Sequence, residues 1–227
     1  MWTIKELKAL GKQAFKNNYW VSVVAALILG IAIAGVTTYL SVNTGQDFSE
    51  ASSNSSMTFS IVAVTSSIVT LLLNTFVFRP LEIGGRHFFL NNSDGRANIY
   101  DFLDGFRFNY LNNVLTMFLR DLFVALWTML FIIPGIVKMY AYSLVPYILA
   151  ENPEIGAMDA IKLSNEMMKG HKMNAFLLDL SFIGWILLTI LTFGLVGVFF
   201  ANPYMYATDA ELYKAIKADY ERRTHAA

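Results

Sequence analysis

The stretch NAFLLDLSFIGWILLTILTFGLVGVFFANPYMYATDA, residues 174–210, decides the fold class of this chain. It contains two acidic residues and no lysine or arginine, and Lys172 and Lys214 lie on either side of it. An apolar run of this length holds two segments of the roughly 20 residues that a membrane-spanning helix requires. Phe193-Gly194 predicts a turn between them, so residues 174–192 and 195–210 are predicted to form a transmembrane hairpin.

Lysine and arginine are distributed unevenly along the whole chain. They cluster at residues 5–16, 79–120, 162–172 and 214–223, and the loop at 42–57 has acidic residues but no basic ones. Cytoplasmic loops of membrane proteins retain Lys and Arg, whereas short translocated loops lose them. The predicted topology places all but one of the 17 basic residues on the cytoplasmic side. It describes a multi-pass protein of the cell membrane with both termini in the cytoplasm.

The composition supports this interpretation. The chain has 56% hydrophobic and 15% charged residues, whereas a soluble domain has about 25% charged residues. The absence of cysteine excludes disulfides, thiolate chemistry and Cys-ligated metals. No linker or second soluble domain is visible, so residues 1–227 are predicted to form a single membrane domain.

The predicted fold is all-α: a polytopic membrane protein with six transmembrane helices in three hairpins and amphipathic helices at the cytoplasmic interface. A cleaved signal peptide is the alternative for the first apolar run, which is longer than a usual signal core. The second helix is predicted to continue, kinked, past Arg79-Pro80 through residues 81–90, where Gly84-Gly85 permits close packing or a break. The six predicted spans are residues 20–40, 58–78, 114–133, 136–150, 174–192 and 195–210.

Residues 114–150 allow two geometries. Pro134-Gly135 predicts a tight external turn, so that both flanking segments cross the bilayer and Lys138 lies near the outer surface. The uninterrupted apolar part, residues 122–133, is only 12 residues long, so a re-entrant hairpin is the alternative. Crossing is the preferred interpretation.

Three segments have the periodicity of a helix with one apolar and one charged face: residues 3–16, 99–110 and 153–169. The third is predicted to begin at Pro153. Such helices lie in the headgroup plane with the apolar face toward the lipid. The alternative is an ordinary helix packed on the rest of the protein. In the first segment, a stripe of lysines is predicted to contact anionic lipids on the cytoplasmic face; it consists of Lys5, Lys8, Lys12 and Lys16.

Three repeat-like units are predicted at about residues 1–95, 96–152 and 153–221. Each contains an amphipathic helix, an outgoing span and a returning span with a proline. The second and third units align over four pairs, each 57 to 59 residues apart: Asp121 with Asp179, Trp127 with Trp185, Pro146 with Pro203, and Gly135 with Gly194. Repeats in membrane proteins often enclose a substrate path, although they also arise as plain architecture.

Charged residues at membrane depth are functional candidates because their burial in lipid is costly. Arg120, Asp121 and Asp179 form the candidate intramembrane polar cluster, in which Arg120 is expected to pair with Asp179. Lys138 and Asp209 are further candidates. The preferred alternative is structural: these residues lie near the cytoplasmic headgroups and lock helices together.

Several segments are similar to a known family. They are WTIKELK at 2–8, RPLEIGG at 79–85, IPGIVK at 133–138, YSLVPYILA at 142–150, AIKLS at 160–164, MKGHK at 168–172 and LDLSFIGW at 178–185. Together they resemble the bacterial integral membrane family called domain of unknown function 975. The resemblance implies a bacterial cytoplasmic membrane and a distant similarity to the membrane domain beside some glycerophosphodiester phosphodiesterases. It implies no catalytic residues.

No motif for catalysis occurs in the sequence. A Gly-x-Ser-x-Gly nucleophile, a phosphate-binding loop and a His/Asp/Glu group with metal spacing are all missing. The chain is therefore predicted to be no enzyme, without cofactor, metal or nucleic-acid partner. The predicted function is that of a membrane protein in the bacterial envelope that acts through lipids or membrane protein partners. Two alternatives are a small transporter or lipid-handling protein with a polar cavity around Arg120, Asp121 and Asp179, and an accessory to a membrane hydrolase.

Overall fold

The structure is a computed structural model that describes residues 2–33, 65 and 68–225. Every regular element in those residues is helical, which confirms the all-α prediction. The helices are α1 (Ile4–Asn17), α2 (Tyr19–Ile33), α3 (Ile68–Ser93), α4 (Asp104–Arg107), α5 (Tyr110–Leu130), α6 (Ile132–Ala141), α7 (Val145–Glu151), α8 (Ala157–Met167), α9 (Lys172–Leu180), α10 (Ile183–Leu191) and α11 (Asn202–His225), with a 3-10 helix at Ile99–Leu103.

Several of these helices are long and apolar enough to cross a membrane. Within the described residues they are Ile68–Ser93, Tyr110–Leu130, Ile132–Glu151 and Lys172–Leu191, and α1 with α2, bent by 107°, would make a fifth. The last three lie within a few residues of predicted spans. The predicted sixth span, 195–210, is not in this set, because the polar and charged residues of α11 lower its hydropathy. Parts of the first two predicted spans lie outside the described residues. The helices are compatible with an integral membrane protein.

Helix α1 packs on the protein through its apolar face. It begins with a capping box, in which the Thr3 hydroxyl accepts a hydrogen bond from the Glu6 N–H and the Glu6 carboxylate accepts one from the Thr3 N–H. Gly11 lies so close to Thr208 of α11 that an added Cβ would overlap its backbone. The buried residues of α1 are Leu7, Gly11, Ala14 and Phe15. Most of the face predicted to rest on lipid is thus covered by protein, as in the alternative interpretation, and Leu10 on that face is exposed.

Helix α8 begins at Ala157 and not at the predicted Pro153. Gly156 has an extended backbone and serves as the N-cap, and Asp159 lies in the first turn, where a negative charge is favourable. Its predicted apolar face also packs on protein, in place of the predicted contact with lipid headgroups; the buried residues are Ala160, Ile161, Ser164, Met167 and Met168.

The predicted segment at 99–110 is broken. Residues 99–103 form the 3-10 helix, a single turn of α4 follows, and Phe102 is buried beneath α3. Gly84 of α3 lies against the Phe102 backbone so closely that a side chain would not fit. The prediction that Gly84-Gly85 permits close packing is confirmed, and α3 continues past Pro80 as predicted.

Helices α5 and α6 form a hairpin with an apolar tip. The chain reverses at Phe131, which has an extended backbone (φ −153°, ψ 133°), so the turn predicted at Pro134-Gly135 is three residues too late. Pro134 lies instead in the first turn of α6, where its missing N–H leaves no hydrogen bond unmade. The tip is bare: Met129 is 89% exposed, and Phe193 at the tip between α10 and α11 is 98% exposed. Apolar surface of this kind suits contact with lipid.

Helix α3 changes geometry just before Pro80. Residues Asn74–Phe78 form a π-helix, and Pro80 lies two residues after its end. Proline lacks the N–H that would bond the carbonyl four residues earlier. That carbonyl belongs to Phe76, and it accepts a hydrogen bond from Tyr110 Oη at 2.8 Å. Helix α5 thus supplies a donor to the carbonyl that would bond the N–H of residue 80 in a regular α-helix.

The other two prolines of the proposed returning spans also lie at helix irregularities. A π-helix at Gly197–Ala201 precedes Pro203. The break between α6 and α7 precedes Pro146, and there the Ala141 carbonyl accepts a hydrogen bond from Ser164 Oγ at 2.8 Å. All three prolines therefore mark local departures from regular α-helix.

The core is centred on the second half of α3 and residues 204–216 of α11. Phe88 and Phe89 of α3 are fully buried, as are Tyr213 and Ile216 of α11. Helices α1, α2, α7 and α8 pack around this pair. The apolar core fixes how α3 is rotated, and it thereby sets the direction in which the polar residues of α3 point.

Candidate functional site

Four charged side chains form a closed ring of ion pairs between α3 and α5. The ion-pair ring consists of Arg79, Glu82, Arg120 and Asp121. The Glu82 carboxylate lies 2.7 Å from the Arg79 guanidinium and 3.5 Å from that of Arg120. The Asp121 carboxylate lies 2.7 Å from the Arg79 guanidinium and 2.8 Å from that of Arg120. Arg79 and Glu82 are three residues apart and share one face of α3. The two positive charges balance the two negative ones.

Arg86 lies one helical turn beyond Glu82 and faces α7 and α11. Its Nη1 donates to Tyr147 Oη at 3.1 Å and to Asp209 Oδ2 at 3.2 Å. Its guanidinium carbon lies 5.3 Å from the ring centroids of both Tyr147 and Tyr206, a cation–π distance. Arg86 thus has one counterion and two aromatic neighbours.

Asp179 of α9 has a different environment. Its Oδ2 accepts a hydrogen bond from Tyr140 Oη at 2.7 Å, and the Tyr140 ring packs edge-on against Phe176 at 6.0 Å. The ion pairs formed by the described residues do not include Asp179. The direct polar partner of Asp179 is therefore a neutral hydroxyl, and Arg86 acts on its charge only at longer range.

Two adjoining cavities contain these groups. The large cavity, about 770 Å³, has the ion-pair ring and Arg86 at one end, and its remaining wall is mostly apolar. The small cavity, about 230 Å³, is lined by Asp179, Asp209, Tyr140 and Tyr147 among others. Both are lined by the same three residues at their boundary: Arg86, Met139 and Ser143.

The structure brings together part of the predicted cluster. Arg120 and Asp121 line the large cavity, whereas Asp179 lines the small one. The predicted pairing of Arg120 with Asp179 is wrong, because the Arg120 guanidinium forms its ion pairs with Asp121 and Glu82. Lys138 faces aromatic rings, with Nζ 5.2 Å from the Trp127 centroid.

Arg79, Glu82 and Arg86 were not predicted as site residues. The positive-inside interpretation assigned them to a cytoplasmic continuation of the second span. Their spacing of three and four residues, which places them on one helix face, was the available signal. Glu82 is only 5% exposed. A charge buried to this degree needs a partner, and it finds two in the ring.

The lysines of α1 differ from one another in their contacts. Lys5, Lys12 and Lys16 are exposed. Lys8 Nζ donates to the Ser181 carbonyl at 3.1 Å and lies 4.2 Å from the Phe182 ring centroid, so it is engaged within the protein. The predicted contact with anionic lipid stays a prediction for the stripe and is best placed on its three exposed members.

Ion pairs at the opposite end of the molecule tie α11 to three chain segments. The charged end consists of the pairs Asp94–Lys214, Glu151–Lys217 and His171–Asp219. The hydrogen bond from Lys214 lowers the pKa of Asp94, and the hydrogen bond from His171 lowers that of Asp219. These contacts join the ends of α3, α7 and α9 to a single helix.

Comparison with known proteins places one part of the chain. No curated protein and no solved structure matches the sequence. The distant similarity to the membrane domain of glycerophosphodiester phosphodiesterases stays a prediction. One stretch of the chain, residues 130–220, includes Asp179, Asp209, Tyr140 and Tyr147 but not the ion-pair ring. This stretch matches the model of a family described as protein of unknown function (DUF975), which supports the resemblance over these residues.

Proposed function

We propose that this protein binds an amphipathic molecule, such as a membrane lipid, in the large cavity, and that it acts in the bacterial cell membrane as a non-enzymatic lipid-handling protein. One observation carries the proposal: the cavity has charged groups at one end and apolar side chains along the rest of its wall. A cavity of about 770 Å³ has the size of a small-molecule site.

The apolar wall supports a lipid occupant. Val124, Ala125 and Met129 extend from the ion-pair ring toward the hairpin tip along α5, and Met139 faces them from α6. Met129 is almost fully exposed in the protein alone. An acyl chain could lie along this wall from within the bilayer while its headgroup meets the charged end, so the ligand would not need to leave the membrane.

The ion pairs support binding over reaction. The carboxylates and guanidinium groups of the ring are bonded to one another, which orients them as fixed charges and leaves none free to act as a base or nucleophile. We propose no cofactor, metal or nucleic-acid partner. Membrane protein partners are compatible with the proposal.

The proposed topology has six crossings in three hairpins with both termini in the cytoplasm. The three proline-linked irregularities support a threefold repeat, with units at about 1–95, 96–152 and 153–221. The charged end would then lie at the cytoplasmic surface, and the exposed lysines of α1 would face anionic headgroups.

Native mass spectrometry of the detergent-extracted protein tests the binding proposal. We expect about one lipid to remain bound per chain. The variant Ala125→Trp fills the apolar part of the cavity, so its affinity for the lipid should be at least about tenfold lower. The matched control is Leu115→Trp, on an exposed face of the same helix away from the cavity, which should bind as the wild type does. Equal lipid binding by the wild type and both variants would refute the proposal. Detection of bulk lipid without a defined stoichiometry would refute it as well.

Cysteine labelling tests the topology, because the chain has no cysteine of its own. We expect a membrane-impermeant maleimide to label Phe131→Cys and Phe193→Cys in intact cells. Asn165→Cys and Thr224→Cys should react only after permeabilisation. A tip cysteine that cannot be reached from outside would show that its hairpin is re-entrant, and external labelling of Thr224→Cys would reverse the proposed orientation.

A further inference from the structure

The charges of the two cavities do not balance. In the ion-pair ring, two arginines face two carboxylates, and Arg86 is paired with Asp209 at 3.2 Å. Asp179 is the carboxylate left over, and within the described residues its polar contact is the Tyr140 hydroxyl. Asp179 is exposed in the protein alone. A carboxylate at membrane depth without a counterion is costly, so a missing positive charge is expected beside it.

The small cavity has the features of an amine-binding site. Tyr140 and Tyr147 line it together with Asp179. The Tyr147 ring already contacts the Arg86 guanidinium and stacks on Tyr213. The groups available to an ammonium are therefore the Asp179 carboxylate and the Tyr140 ring. A carboxylate beside an aromatic ring is the usual environment of a bound ammonium group, which combines an ion pair with cation–π attraction. Arg86 also acts on Asp179 at longer range, but its ion-pair partner is Asp209, at 3.2 Å.

The volume and position of the small cavity fit one arm of a larger ligand. At about 230 Å³ it has room for a short ammonium-bearing chain, and it adjoins the large cavity at Arg86, Met139 and Ser143. A headgroup at the charged end of the large cavity could therefore extend an amine past Ser143 toward Asp179.

We infer that the small cavity is an amine subsite, in which Asp179 receives the ammonium group of the ligand. The inference rests on the proposed function and narrows it to amine-bearing amphiphiles. The same chemistry occurs in an aminophospholipid headgroup and in a free organic amine, and binding measurements distinguish these two sources.

The test uses the full-length protein in detergent, titrated with phosphatidylethanolamine, phosphatidylglycerol of the same acyl chains, and free ethanolamine. We expect phosphatidylethanolamine to bind at least about tenfold more tightly than phosphatidylglycerol, a difference of about 1.4 kcal/mol. Asp179→Asn should abolish this preference and leave phosphatidylglycerol binding unchanged. The matched control is Asp159→Asn, on the exposed face of α8, which should retain the preference.

Equal binding of the two lipids to the wild-type protein would overturn the amine subsite and leave the proposed function intact. This comparison needs no variant, so it stands even if Asp179→Asn fails to fold. Asp179-dependent binding of ethanolamine without lipid binding would support the subsite and overturn the lipid as its source. Failure of all three ligands to bind would overturn both proposals.

Discussion

The ion-pair ring and the charged end both pair acidic with basic side chains, but they differ in exposure. The side chains of Arg120 and Glu82 are 12% and 7% exposed, whereas those of Lys214 and Asp94 are 30% and 40% exposed. Exposed pairs stabilise a protein by about 0–1 kcal/mol. Removal of one partner from a buried pair costs about 3–5 kcal/mol, because the other charge stays buried without compensation. We therefore expect the fold to need all four charges of the ion-pair ring, whereas it should tolerate the loss of a pair at the charged end.

The largest effect is expected for Glu82→Ala. It leaves Arg79 and Arg120 with a single carboxylate between them, so we expect a loss of about 3–5 kcal/mol in unfolding free energy. Asp94→Ala at the charged end is the matched control, with a loss below about 1 kcal/mol. Thermal unfolding in detergent, followed by tryptophan fluorescence, measures both. Similar melting temperatures for the two variants would show that burial does not separate the two regions.

A smaller difference is expected between two tyrosines that donate equally short hydrogen bonds. Tyr140 donates to Asp179 and Tyr213 to Glu151, both at 2.7 Å. Tyr140→Phe leaves Asp179 without its partner, so we expect a cost of about 1.5–3 kcal/mol. In Tyr213→Phe, Glu151 keeps Lys217 at 2.5 Å, so about 0.5–1.5 kcal/mol is expected. The same melting experiment ranks the pair, and the reverse order would contradict the assignment of Asp179 as the weakly compensated acid.

The smallest effect is a pH dependence at the charged end. The hydrogen bond from His171 lowers the pKa of Asp219. A lowered pKa means that the contribution is complete above the unfolded value, about 3.9, and is lost as the pH falls through the lower folded value. The difference in melting temperature between wild type and Asp219→Asn should shrink as the pH falls below about 4. A difference that persists unchanged below that pH would show that the carboxylate of Asp219 does not stabilise the fold.

Hydropathy predicted the helical fold well, because segment length and apolar content are local properties of the sequence. The apolar helices at the predicted third to fifth spans and the continuation of α3 were found in this way. Local sequence patterns did not predict which side chains pair or what covers a helix face, because tertiary contacts determine both. Arg120 forms an ion pair with Glu82, which lies 38 positions away in the chain, and a hydropathy pattern does not reveal such a contact. The faces of α1 and α8 were recognised, but the sequence cannot tell whether lipid or protein covers an apolar face.

The proposed repeat shows the same limit at residue level. Gly135 was aligned with Gly194, yet Gly135 packs against Thr128 inside a hairpin, whereas Gly194 has a positive φ of 90° in a turn. Gly197, which packs against Thr189, has the role that Gly135 has. Equal spacing therefore paired two glycines with different structural roles, because two different backbone requirements select the same residue type.

The bare hairpin tips have a consequence for biogenesis. No ionisable Asp, Glu, Lys or Arg occurs between Asp121 and Lys138, or between Asp179 and Asp209. Insertion of the first hairpin moves Lys138 toward the outer surface, whereas the second hairpin can insert into the bilayer without moving a formal charge through hydrocarbon. Integration of the second hairpin would then proceed as readily in de-energised cells as in respiring ones, since the electrical gradient acts only on charge that moves.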